Sequence, residues 1–184
     1  MDGTNVYRMP ISAGEVLYDA PPSYVYSNIV AFVQDEAYVK VNPIDNLTSR
    51  RASCLLLAGL GLSLEETSDR LYMCPSTVKA TVLSAYKKVP TNGRNTITRY
   101  MLEHGHFEVE RPADQLLASQ TELDILTMKS FGATNAQIAE LSHRSPLTIK
   151  SHLHWIAVRN KIPERQRLIT RALLAGQISY QRVV

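Results

Sequence analysis

The sequence predicts an all-α fold of two tandem four-helix domains preceded by a short N-terminal segment. Three observations lead there. From Leu47 to Phe107 and again from Ala118 to Ile178 the chain runs through one pattern twice, at a constant offset of 71 residues. That offset pairs Gly61 with Gly132, Pro75 with Pro146, Thr77 with Thr148, Lys79 with Lys150, Arg94 with Arg165 and Gly105 with Gly176. A gap-free repeat of this length means two copies of one small domain rather than one large core. Within each copy, apolar residues recur at helical spacing, with glycine or proline at the breaks. A chain of 184 residues at 45% hydrophobic and 20% charged is ordinary globular material, enough for two small domains. The expected boundaries are 1–44 for the N-terminal segment, 45–107 for the first domain, 108–118 for a linker and 119–184 for the second domain.

Residues 1–44 are the hardest to read. Ser23 follows Pro21-Pro22 and precedes Val25, Ile29, Phe32 and Val33, the layout of a capped helix. Tyr24, Val25, Tyr26, Ile29, Val30 and Val33 are also strong strand formers. A helix is the expectation, with the tyrosines packed onto the first repeat. The segment is too short to hold a ligand-sensing or phosphoacceptor domain with its own core. The first copy then reads as helices over residues 54–60, 64–71, 75–89 and 97–104, the last stopped by Gly105. Cys74 stands where a helix cap belongs, and a thiol is a weak cap, so the third helix should start less firmly here than in the second copy. Glu108 to Leu117 is charged and contains Arg111-Pro112, which suits an ordered connector or short linker. Fully extended, the roughly 11 residues from Phe107 to Ala118 would reach about 36 Å.

In the second copy, Leu123, Leu126 and Met128 to Phe131 mark a first helix that Gly132 stops. Asn135 is expected to cap a short second helix through Ile138, Ala139 and Leu141. Ser145-Pro146 reads as an N-cap followed by proline at the first helical position. Ile149, Leu153, Ile156 and Ala157 then form an apolar stripe, with Lys150, Ser151, His154, Arg159 and Lys161 off it. Ile162-Pro163 breaks that helix. Leu168, Ile169, Ala172 and Leu173 mark a fourth, ending near Gly176.

Charge and cysteine usage narrow the function classes. Residues 1–44 carry two basic and five acidic side chains (net −3), 45–107 eight and five (net +3), and 108–184 ten and seven (net +3). The positive charge therefore sits in the repeats, a mild pointer to a polyanionic partner. Cys54 and Cys74 form neither a zinc motif nor a disulfide framework. His152 and His154, two apart on one helix, point in different directions, and His104 and His106 flank Gly105 at a helix end, where the helix dipole accounts for them. No metal or cofactor is expected. Paired carboxylates, a phosphate-cradling glycine motif and a nucleophile–base set are all missing, so the chain reads as a non-enzyme. It opens without a basic and apolar leader and has no apolar run of about 18 residues, which makes a soluble cytoplasmic protein the expectation.

A short helix, a turn and a basic amphipathic helix opening Ser-Pro-x-Thr is the layout of a helix-turn-helix. An α-helix fits the major groove of B-DNA, its first turns reach base edges, and its N-terminal amides with a Thr hydroxyl can hold a phosphate. The residues resemble the LuxR-type (GerE or FixJ-type) DNA-binding domain. In the second copy the resemblance runs through Gly132-Ala-Thr-Asn135, Ile138-Ala139, Ser145, Thr148-Ile149-Lys150, His152-Leu153, Ile156, Arg159, Ile162, Arg165 and Ala172 to Gly176-Gln177-Ile178. The first copy keeps Leu47-Thr48, Arg50, Ala58, Gly61-Leu-Ser63, Leu71, Thr77-Val78-Lys79, Val82, Lys88, Arg94 and Gly105.

The resemblance implies four helices per domain, the third entering the major groove and the fourth often pairing subunits. It places Lys150, Ser151 and His154 of the second copy, and Lys79, Ala80 and Leu83 of the first, at base edges. Thr77, Thr148, Lys88 and Arg159 fall near phosphates. The first copy departs from the pattern. Ala80 and Leu83 offer no hydrogen bonds, Arg51 stands where Glu122 keeps the family's acidic residue, and Thr67-Ser68 replaces the usual Ile-Ala. In the second copy Ser142 replaces an apolar residue. Trp155 and His152 are expected to be packed, Trp155 at a domain boundary.

The expected function is a bacterial or mobile-element transcriptional regulator that binds double-stranded DNA in sequence-specific fashion, with the second copy the better reader. The alternative is a protein-interaction module, an antiactivator or adaptor that reuses the helix-turn-helix surface to bind another regulator. Two readers one helical turn apart need recognition helices about 34–36 Å apart, within the extended reach of the connector. Exposed apolar residues on either fourth helix would instead favour a homodimer.

Overall fold

A computed structural model of the chain describes residues 30–33, 37–42, 44, 47–91, 93–162 and 165–180. Most of these lie in eight helices: α1 Ser49–Gly59, α2 Leu64–Leu71, α3 Pro75–Tyr86, α4 Arg94–Glu103, α5 Gln120–Ser130, α6 Asn135–Leu141, α7 Pro146–Arg159 and α8 Arg165–Leu174. Each helix from α5 to α8 begins 71 residues after its counterpart among α1 to α4. The turns repeat as well. Gly61 and Gly132, Tyr72 and His143, and Gly105 and Gly176 form matched pairs, all with positive φ. At Gly61 (φ 85°) and Gly132 (φ 91°) the left-handed backbone ends the first helix of each set, where only glycine escapes a Cβ penalty.

One expectation needs correction here. The chain is not all-α: β1 Val30–Val33, β2 Ala37–Val41 and β3 Phe107–Arg111 form an antiparallel sheet in the order β1-β2-β3. Over residues 30–41 the strand preference of Val30, Val33, Val39 and Val41 wins over the helix reading, because β3 offers a partner edge that local sequence does not reveal. The supposed helix start at Ser23 and the tyrosines before residue 30 lie outside the described residues. Buried residues of both helix sets, from Leu55, Ile97 and Met101 to Leu126, Ile156 and Leu168, form one continuous cluster. Cys54, Val78 and Val82 make a smaller one between α1 and α3.

The two sets merge because their fourth helices pack on each other, with α4 also touching α5. Buried hydroxyls of Thr98 and Thr170 share a 2.8 Å hydrogen bond across this seam. Arg99, almost fully buried, reaches from α4 to the Ser130 hydroxyl (3.4 Å) and the Tyr180 carbonyl, and its guanidinium stacks 3.2 Å over the Phe131 ring. From the other side, Arg167 donates to the Gly61 carbonyl (3.2 Å) and pairs with Glu66.

Burial pushes the Glu66 carboxyl up, but donors from Arg167 and Ser63 outweigh it and leave its pKa below the ordinary 4.5. A carboxylate depressed in the fold adds stability above its unfolded pKa, and that stability is lost as pH falls through the folded value. Melting temperature should therefore drop on acidification below about pH 4.5, and Glu66→Gln should flatten part of that drop. An identical pH profile in the variant would contradict a role for this pair.

The connector is not a loose linker. After β3, Ala113 and Leu116 are buried, and the Ala113 amide donates to the Leu174 carbonyl (3.2 Å). The Leu116 amide donates to Gln177 (2.6 Å) and the Leu117 amide to Asn160 (2.8 Å). These tethers hold 113–117 against α7 and the end of α8, so the extended reach of the connector is not available. The α4–α8 and α4–α5 contacts, not the reach of the connector, join the two sets.

Candidate nucleic-acid interface

The site is built on the pairs α2–α3 and α6–α7. Each begins with a reciprocal cap. In the first, the Ser63 amide donates to Glu66 (2.7 Å) and the Glu66 amide to the Ser63 hydroxyl (3.1 Å). In the second, Thr134 and Gln137 do the same at 2.8 and 3.2 Å. Thr134 is thus the cap of α6, correcting the assignment to Asn135, which is its first helical residue. The buried polar pair Thr67-Ser68 in α2 is accommodated in part by the Ser68 hydroxyl donating to the Met73 carbonyl. In the turn after α6 the Ser142 hydroxyl bonds the Ile138 carbonyl (2.6 Å).

The starts of α3 and α7 differ as their sequences predict. The Ser145 hydroxyl accepts from the Thr148 amide (3.0 Å) and meets the Thr148 hydroxyl at 2.9 Å, while Cys74 makes no side-chain cap bond. Ser145→Ala should destabilise the protein by about 1 kcal/mol, and Cys74→Ser should stabilise it by roughly 0.5–1 kcal/mol. Urea denaturation measures both; equal and negligible shifts would mean the caps do not matter.

Inward, α7 buries Ile149, Leu153 and Ile156, and α3 buries Val78, Val82 and Ala85. Outward, every residue expected at the interface is exposed: Thr148, Lys150, Ser151, His154 and Arg159 in the second set, and Thr77, Lys79, Ala80, Leu83 and Lys88 in the first. Lys88 lies beyond the end of α3, whereas Arg159 is the last residue of α7. Lys150, Ser151 and His154 share one side of α7, since steps of three and four residues return to the same face.

Arg159 has a second engagement. Its guanidinium pairs at 2.6 Å with Glu122, a buried carboxylate that also accepts from the Ser119 amide at 2.8 Å. Burial pushes the Glu122 carboxyl up, and the donors of Ser119 and Arg159 bring it below the ordinary range. The pair pins the end of α7 to the start of α5 and leaves the Arg159 side chain 48% exposed. The first copy cannot repeat this, because Arg51 and Lys88 are both cations. His152 is half-buried as expected, with Nε2 at 2.6 Å from Arg144 and Nδ1 at 3.9 Å from Glu122.

Trp155 corrects another expectation. It is 59% exposed rather than packed at a boundary. With Leu147 at 69% and Val158 at 52%, it shares the outward side of α7 with Ser151 and His154, whose ring lies 5.4 Å from the indole, so that side is mixed polar and apolar. The exposed apolar residues were missed because the sequence was sorted into a core stripe and a polar remainder. The signal was available: Leu147, Trp155 and Val158 fall at steps of eight and three and avoid the buried Ile149–Leu153–Ile156 stripe.

Among the described residues no group of three or more His, Cys, Asp or Glu side chains gathers as a metal site, and no helix is long and apolar enough to cross a membrane. No family model, curated protein or solved structure matches this chain.

Proposed function

We propose that the protein is a double-stranded DNA-binding transcriptional regulator, with α2–α3 and α6–α7 acting as tandem LuxR-type helix-turn-helix units and α7 as the principal reader. The observation that carries this reading is the outward side of α7. Lys150, Ser151 and His154 stand exposed together on a helix whose start is fixed by Ser145 and whose end is pinned by Glu122. Phosphate contacts position such a helix and base-edge hydrogen bonds give it specificity. Selection from random duplexes tests this, and the expected result is a short enriched motif. Recovery of unenriched sequence would argue against base reading.

The exposure of Leu147, Trp155 and Val158 on the outward side of α7 favours a second reading, an adaptor that binds another regulator through α7. Exposed apolar clusters are a usual feature of protein interfaces. The two readings separate on purified protein, because the adaptor predicts indifference to DNA even at low salt.

A further inference from the structure

The α4–α8 seam is reciprocal at one pair of positions, although α4 also packs on α5 without an equal α8–α1 contact. Arg99 and Thr170 are counterparts at the 71-residue offset, as are Leu60-Gly61 and Phe131-Gly132. Arg99 stacks over Phe131, and the Thr170 hydroxyl lies where it would stand 3.3 Å from a Cβ placed on Gly61. The same position of each copy therefore meets the first-helix turn of the other. Reciprocity of this kind is what a two-fold axis produces between identical subunits, whereas head-to-tail stacking does not produce it. Here it occurs within one chain, where Arg99 of one copy and Thr170 of the other each face the opposite first-helix turn.

Two consequences follow. Among the described residues, no large exposed hydrophobic lies on α4 or α8, so these helices offer no apolar face to a second copy. Carried through to the reading helices, the same reciprocity relates α3 to α7 by an approximate two-fold while their outer residues differ, Lys79, Ala80 and Leu83 on α3 and Lys150, Ser151 and His154 on α7. Operator symmetry mirrors the symmetry of the readers.

We propose that a single chain, without a second copy, occupies a complete operator made of two inverted but unlike half-sites. The α7 half is read by hydrogen bonding. The α3 half is read by Lys79 and by apolar contact of Leu83 with a thymine methyl, the one apolar group a base edge offers in the major groove. This rests on the DNA reading above and adds stoichiometry, orientation and asymmetry to it.

The test uses the full chain on its selected duplex, with sedimentation for stoichiometry and footprinting for the protected bases. The expected result is one chain per duplex over two inverted, non-identical half-sites. Replacing thymine by deoxyuracil in the α3 half should weaken the wild type by about fourfold, the effect of withdrawing one buried methyl, and leave Leu83→Ala unchanged. Leu83 is exposed, so that variant should fold. Two chains per duplex, a direct repeat, or protection of one half-site alone would overturn this proposal and leave DNA reading by α7 intact. No binding to any duplex would overturn both.

Discussion

Leu168→Ala is expected to lower the unfolding free energy by about 2–5 kcal/mol, the range for deleting a buried leucine side chain from a packed core. Leu168 is fully buried on α8 and belongs to the cluster that runs through both helix sets. The more telling outcome is the shape of the transition. A core shared across α4 and α8 should unfold as one cooperative unit, so far-ultraviolet circular dichroism and tyrosine fluorescence should give coincident urea curves in both wild type and variant. Two resolved transitions, with only the later residues affected, would mean that the two copies are stable alone and that the seam is a weak contact.

Lys150→Ala is expected to weaken binding to the selected duplex by about 1–3 kcal/mol, the usual contribution of a good base-edge contact. The same change at Lys79 should cost less, because its neighbours Ala80 and Leu83 provide no hydrogen bonds to fix the helix against a base. Both lysines are exposed, so neither change should alter stability by more than about 0.5 kcal/mol. Competition binding at one fixed salt concentration measures the difference. Equal small losses at both positions would indicate solvated helix lysines with no base contact.

Helix placement was legible because the signals are local. Gly61, Gly132 and Gly105 sit where the chain must turn left-handed, Pro75 and Pro146 open helices, and the apolar residues recur on one face. Cap strength at Ser145 and Cys74 was legible for the same reason. What the sequence hid depends on distant partners. Strands at 30–41 exist because β3, some 70 residues later, pairs with them. The fusion of the two cores depends on Thr98 meeting Thr170 and Arg99 meeting Phe131, and nothing local marks those residues as seam. The candidate interface lies between these cases. Helical periodicity put Lys150, Ser151 and His154 outward, but it gave no hint that Arg159 divides its charge with Glu122. Trp155 was misplaced because a tryptophan in an amphipathic helix usually packs, and here no neighbouring element buries it on the outward side of α7.

Presentation of α7 to a duplex is tested most directly by the affinity of the purified wild-type chain for mixed-sequence double-stranded DNA, measured as salt is raised. The expected result is clear binding at low salt that falls steeply, with log K linear in log salt and a slope of about 0.9 for each phosphate neutralised. Absence of binding at low salt, or an affinity that ignores salt, would contradict it and leave the exposed Leu147, Trp155 and Val158 of α7 as the working surface.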